Sequence, residues 1–297
     1  MSDLQADKSA LREVRRVLVE WIASAVAVLD KKRVTDADIH DARKQLKKAR
    51  AALRLLRGSI GEIAYRRENA ALRDAARPLG AARDSRVLVA VLDALLERHK
   101  STLKPVRLDR LRRILRQEQT HSRRALTRTV IAKQRAALRA VIKRSERWRL
   151  RGDDWAVIAD GFARSYRRAR KNFAAAKESR DTECLHDWRK QVKYLWHQLQ
   201  IAQPLRPGRI GALATRYHKL ADNLGDDHDL AVLRSKIESH AQVLERTRDL
   251  DELLRRLDRR RVQLQDKAFV LGSRLFADKP AVFAQHLSRY WGTTHSR

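Results

Sequence analysis

The sequence predicts an all-α protein, on three observations. Ala, Leu, Arg, Lys, Glu and Gln dominate, and these are strong helix formers. No stretch alternates apolar and polar residues over the length of a strand between turn residues. The prolines Pro78, Pro105, Pro204, Pro207 and Pro280 fall where the helical periodicity breaks, as punctuation does.

Helices are expected at about 9–30, 36–57, 61–77, 82–101, 107–150 (broken once), 154–177, 182–203, 209–224, 227–247, 249–276 and 280–291. The first would bury Leu11, Val14, Leu18, Trp21, Ala25 and Val28, spaced three or four apart. Asp36 or Asp38 would cap the second helix and Asp181 or Thr182 the seventh, because a short oxygen-bearing side chain satisfies the free N–H groups of a helix start. Pro78 with Gly80 divides the third helix from the fourth. Gly225 does the same between the eighth and the ninth.

Charge narrows the function classes. The 297 residues carry 67 Lys+Arg against 36 Asp+Glu, a formal +31. Hydrophobic residues make up 43%, which is enough for a core and excludes a disordered basic tail. Such a surplus repels itself and implies a polyanionic partner: nucleic acid, an anionic membrane surface or polyphosphate. Cys184 is the only cysteine, so an internal disulfide and a thiolate zinc site are both excluded. The longest apolar stretch, Val17 to Leu29, is interrupted by Glu20 and too short to span a bilayer. Asp3, Asp7 and Glu13 ahead of it do not resemble a signal peptide. The chain is expected to be soluble and cytoplasmic, with no membrane partner.

An internal repeat organises the chain. Ile39-His40-Asp41-Ala42-Arg43-Lys44-Gln45-Leu46-Lys47 recurs as Leu185-His186-Asp187-Trp188-Arg189-Lys190-Gln191-Val192-Lys193, with six of eight positions identical from the histidine on. A second echo pairs Leu79-Gly80-Ala81-Ala82-Arg83-Asp84 with Leu224-Gly225-Asp226-Asp227-His228-Asp229. The two echoes are offset by 146 and 145 residues, so one duplication explains both. Two related helical halves follow, 1–150 and 151–297, with Arg151-Gly152-Asp153-Asp154 as the seam.

At 100° per residue, His40, Arg43, Lys44, Lys47, Arg50 and Arg54 share one helix face, opposite Ala42, Leu46, Ala49, Leu53 and Leu56. In the second copy His186, Arg189, Lys190, Lys193, His197 and Gln200 oppose Trp188, Val192, Leu195 and Leu199. Like charges three or four apart destabilise a helix by roughly 0.2–0.5 kcal/mol per pair. A face selected only for solubility would interleave glutamate. A stripe headed by histidine in both copies points to an anion, since histidine donates to phosphate oxygens and an adjacent anion favours its charged form.

These motifs resemble the CHAD family, whose pattern is a His-x-x-Arg helix continuing in Lys or Arg, followed by Leu-Gly-x-x-x-Asp. Both occur twice, at His40/Arg43/Lys47/Arg50 with Leu79-Gly80/Asp84 and at His186/Arg189/Lys193 with Leu224-Gly225/Asp229, and the likeness spans about 9–291. The resemblance implies two pseudo-symmetric four-helix bundles with additional helices around a basic central cavity. It also implies binding of inorganic polyphosphate and association with polyphosphate granules. Candidate contacts are His40, Arg43, Lys44, Lys47, Arg50, Arg54 and Arg83 in the first half. Those of the second are His186, Arg189, Lys190, Lys193, His197, Lys219 and His228. Trp196 replaces the arginine equivalent to Arg50 and is assigned no anion role; His197 is expected to substitute.

Polyphosphate suits such stripes, because a linear anion without bases is recognised by spacing cations along a path. Gly80 and Gly225 are read as tight turns, with Asp84 and Asp229 in the first turns of the following helices. That reading is preferred to a metal site at Asp226-Asp227-His228-Asp229. No cofactor is expected. A metal-dependent phosphohydrolase is rejected, because Arg and Lys share each histidine's face and would oppose a divalent ion. Non-specific nucleic-acid binding is the stronger rival, since its electrostatic term ignores sequence. Aromatics, however, are only 5% and no basic patch is interleaved with them. Weak nucleic-acid binding at low salt is expected, and no oligomeric state follows from the sequence.

Overall fold

The computed structural model describes residues 9–102, 108–152, 154–242, 244 and 247–295, and among these there is no strand. In chain order the helices are α1 (Ala10–Leu29), α2 (Asp36–Leu55), the single turn α3 (Arg57–Ile60), α4 (Glu62–Arg98), α5 (Asp109–Arg124) and α6 (Arg128–Glu146). There follow α7 (Asp154–Ser179), α8 (Thr182–Ala202), a 3₁₀ turn at Gln203–Leu205, α9 (Pro207–Ser239), α10 (Arg248–Leu275) and α11 (Pro280–His295). No helix among the described residues is long and apolar enough to cross a membrane.

The expected faces are the buried ones. Val28 of α1 is only half-buried, whereas Leu11, Val14, Leu18, Trp21 and Ala25, expected with it, are all buried. So are Ala42, Leu46, Ala49 and Leu53 of α2, and Trp188, Val192, Leu195 and Leu199 of α8. The basic 107–150 stretch breaks once, between α5 and α6.

Two expected breaks are absent. α4 runs through Pro78 and Gly80, and α9 runs through Gly225. A proline inside a helix removes one backbone bond and costs about 3 kcal/mol. Here Leu72, Ala75 and Leu79 on one side and Leu88 and Leu92 on the other bury α4 along its length, and that packing outweighs the local signal. Asp84 and Asp229 consequently lie mid-helix and cap nothing. The caps of α2 and α8 are also more specific than expected. Thr35, not Asp36, caps α2, and Asp38 completes a capping box; Asp181 caps α8, its side chain accepting from the Cys184 N–H at 2.7 Å.

The long helices divide the interior. A main core takes α1, α2, α6, α7, α8, α11, the N-terminal parts of α4 and α9 and the end of α10. A smaller one joins the C-terminal parts of α4 and α9 to α5 and the first part of α10, through Leu92, Leu111, Leu233 and Leu253. α2 packs on α8, tied by a buried bond from Gln198 Nε2 to the Ala51 carbonyl at 3.1 Å, and α4 packs on α9. The two helices that carry the repeated motif are therefore neighbours.

Candidate anion-binding cleft

The apolar faces of α2 and α8 fix how their polar faces point. With Ala42 and Leu46 of α2 and Trp188 and Val192 of α8 held in the core, the basic stripes of both helices turn toward one cleft. A cavity of about 180 Å³ is lined there by His40, Arg43, Lys44 and Lys47 of α2, Lys193, Trp196 and His197 of α8, and Asp222 of α9. Three lysines and an arginine converge with one carboxylate among them. Lys47 also lies close enough to His186 and His197 to act on both rings, so the stripes interact across the helix pair.

Arg43 is held in place. Its Nη2 pairs with Asp84 Oδ1 at 3.4 Å, and its guanidinium passes over Gly80, where a Cβ would meet Nη1 at 2.5 Å. In the second copy, a Cβ on Gly225 would sit 3.8 Å from Arg189 Nε. Both glycines thus lie against the arginine of the first motif, and this replaces the tight-turn reading. Arg189 itself is buried.

His186 and His228 face each other, with Nδ1 atoms 3.3 Å apart and ring centroids 4.6 Å apart. One Nδ1 must donate and the other accept, so the contact requires a neutral ring. Burial, then Lys190 and Arg189, pushes the His186 pKa down. An anion entering the cleft would act in the opposite direction.

Several candidates are placed elsewhere. Arg54 lies over the Tyr194 ring at 4.0 Å and donates to the Tyr65 hydroxyl. Arg50 donates from Nε to Asn69 Oδ1 at 3.2 Å and stands 5.8 Å from the same ring. Both brace α2 against α4 and α8 and neither lines the cavity, which is a correction to the extended stripe. His197 does line it, but not as a stand-in cation. It is 3% exposed, its Nδ1 meets Gln200 Oε1 at 3.0 Å, and burial pushes its pKa down to about 3. The ring is neutral, stacked on Trp196 at 4.5 Å. Lys190 is exposed and paired with Asp187 at 2.6 Å, and Lys219 is exposed on α9 outside the cavity. The Arg83 side chain lies outside the described residues.

Among the described residues no three metal-capable side chains come together, at the Asp226–Asp229 run or elsewhere. Buried Asp227 accepts instead from Arg261 Nε at 3.0 Å and Gln265 Nε2 at 2.9 Å, fixing α10 to α9. Sequence reasoning missed Asp222, which reaches the cavity while bonded to His218 Nδ1 at 3.0 Å. The i,i+4 spacing of His218 and Asp222 was its only signal.

A family model described as CHAD domain matches residues 10–238. A crystal structure of the CHAD domain from the plant Ricinus communis is similar in fold, with a TM-score of 0.58 at 19% identity over 96% of this chain and 94% of that one. No curated protein matches the chain.

Proposed function

The chain belongs to the CHAD domain family, and from that premise we propose that it binds inorganic polyphosphate, without catalysis, in the cleft between α2 and α8. The observation that carries this reading is the convergence of Arg43, Lys44, Lys47 and Lys193, from both copies of the repeat, on one cavity. A phosphate chain presents oxygens on every side and no bases. Spaced ammonium groups and a forked guanidinium suit it without any further recognition element. Each charge-assisted hydrogen bond contributes roughly 1.5–3 kcal/mol, so a few suffice after ordering costs. The cleft screens less than an open face, which strengthens each contact. Granule association follows as the cellular consequence of such binding.

Long-chain polyphosphate titrated at physiological salt against competing duplex DNA and RNA tests the reading. Polyphosphate should stay bound at equal phosphate concentration. Displacement by either nucleic acid would replace the assignment with general electrostatic binding. Release of phosphate by purified protein with Mg²⁺ or Mn²⁺ would overturn its non-catalytic part.

A further inference from the structure

A second group of cations lies outside the repeated stripes. Two cavities on the smaller core share Leu95, Arg98 and Arg260, so they form one groove between α4, α9 and α10. One end is basic, with Arg256, Arg259 and His99 beside the shared arginines. The other is walled by Val91, Ala94, Leu230 and Leu264 and carries Asp226 and Asp229. Most of the basic end belongs to α10, beyond the 10–238 span that the family model matches.

The charges at the basic end are poorly compensated. Arg256 pairs with Glu252 at 2.6 Å, whereas among the described residues Arg98, Arg259 and Arg260 make no direct ion pair, Arg260 acting on Asp226 only through space. Arg256 Nη1 also meets His99 Nδ1 at 2.8 Å. Arginine only donates, so Nδ1 accepts and the His99 ring keeps its proton on Nε2, available to an anion. Burial, then Arg256 and Arg98, holds the His99 pKa down, consistent with that neutral form. Guanidinium groups gathered this closely on two helices repel one another until an anion joins them.

The opposite end sets what the anion is attached to. A bare phosphate polymer threaded along the groove would bring its charge against Asp226 and Asp229. A ligand with phosphate at one end only avoids that repulsion. Its remainder must be partly apolar, to lie on Ala94, Leu95 and Leu264, and must bear hydrogen-bond donors for the two carboxylates, as ribose hydroxyls or an exocyclic amine would. We propose that the α4–α9–α10 groove binds a nucleoside phosphate, with its phosphates on Arg98, Arg259 and Arg260 and its nucleoside toward Asp226 and Asp229. Its lining residues differ from those of the α2–α8 cleft, although Lys193 of the cleft acts on Asp226 through space, and the proposal does not rest on the polyphosphate reading.

Calorimetric titration of the full chain at physiological salt, with ATP and with tripolyphosphate, tests it. With Lys44 and Lys47 of the cleft reversed to Glu, ATP should bind one to one and about tenfold tighter than tripolyphosphate. The triple change Arg98→Glu, Arg259→Glu, Arg260→Glu should weaken ATP about tenfold or more. The cleft change Lys44→Glu with Lys47→Glu should leave the affinity of the groove for ATP unchanged. So should a charge-matched control, Arg113→Glu, Arg116→Glu, Arg128→Glu, on exposed positions of α5 and α6. Ala94→Trp, at an exposed position, should fill the apolar wall and abolish the preference for ATP over tripolyphosphate. Equal binding of ATP and tripolyphosphate by the chain carrying Lys44→Glu with Lys47→Glu, in which the cleft no longer competes for tripolyphosphate, would overturn the proposal. An equal loss of ATP binding in the control or the cleft variant would overturn it as well.

Discussion

Gly80 lies directly beneath Arg43: a methyl group on the glycine would stand 2.5 Å from the guanidinium Nη1. The glycine of the second motif thus serves the arginine of the first, across the α2–α4 contact. Its closest neighbour is the far end of a flexible side chain, so Gly80→Ala should move Arg43 without disturbing the core. The helix itself gains, since alanine replaces glycine mid-helix. Polyphosphate affinity should fall roughly tenfold, the loss of about one charge-assisted contact, with thermal stability unchanged or slightly raised. Gly225→Ala should be milder, because its added methyl reaches Arg189 Nε only at 3.8 Å, an ordinary contact. Paired binding titrations and melting curves of the two variants check the contrast; equal effects would dissociate the glycines from the arginines.

Charge position should matter more than charge total. Reversing Arg43, Lys47, Arg189 and Lys193 to Glu should weaken polyphosphate at least tenfold more than reversing the exposed Arg113, Arg116, Arg124 and Arg128. The measurement is the dissociation constant of each variant at one fixed ionic strength, with circular dichroism to establish that both fold. Equal losses would reduce the cleft to a contribution to net charge.

His197 makes the fold acid-sensitive. Its folded pKa of about 3 lies below the ordinary histidine value of 6.5, so the unfolded chain binds the proton more readily. Stability is therefore fully present above pH 6.5 and declines as the pH falls from there toward 3. At pH 5 the expected loss is roughly 2 kcal/mol, an order-of-magnitude figure from 1.36 kcal/mol per pH unit. Urea unfolding at pH 7.5 and pH 5 measures it. His197→Gln, which keeps a polar group but cannot charge, should flatten the slope between those pH values, and an unchanged slope would assign the acid sensitivity to another group.

Glu68 is fully buried on α4, where Arg144 of α6 donates to it through Nε at 2.9 Å and Nη2 at 2.7 Å, and Arg67 pairs with it at 2.8 Å. Removing one partner of such a group leaves the other desolvated. Glu68→Ala should cost about 3–5 kcal/mol in equilibrium unfolding, whereas a double change to Glu68→Leu with Arg144→Met should recover most of that. A loss below about 1 kcal/mol would mean that water already screens the pair.

The helical faces of α2 and α8 were legible because a period of 3.6 residues needs no knowledge of what the helix packs against. Ala42, Leu46, Trp188 and Val192 are buried as that period requires. Helix ends were less legible. Pro78, Gly80 and Gly225 carry strong local signals, yet burial on both sides carries α4 and α9 straight through them. The site was legible up to its middle. Lys47 and Lys193 are in the cleft, but Arg50 and Arg54, one or two turns farther along, have neighbours on their polar faces too, and His197, though it lines the cleft, is enclosed. A helical wheel treats every polar face as open, whereas Tyr194 covers Arg50 and Arg54 and the interior encloses His197. Pairing between glycine and arginine was invisible because it joins two helices distant in sequence.

Asp154, the first residue of α7, accepts hydrogen bonds from Ser9 Oγ at 2.7 Å and from the Leu11 N–H at 3.0 Å, and bonds the Ala10 N–H as well. The helix that opens the chain is therefore finished by a residue more than 140 positions later. A polypeptide cut at residue 150 would leave α1 with frayed amides and α2 without its contacts to α7 and α8. Co-expressed fragments should reassemble, while either one alone should be lost to aggregation. The start of the first described helix is thus secured only once the second half of the chain has been made.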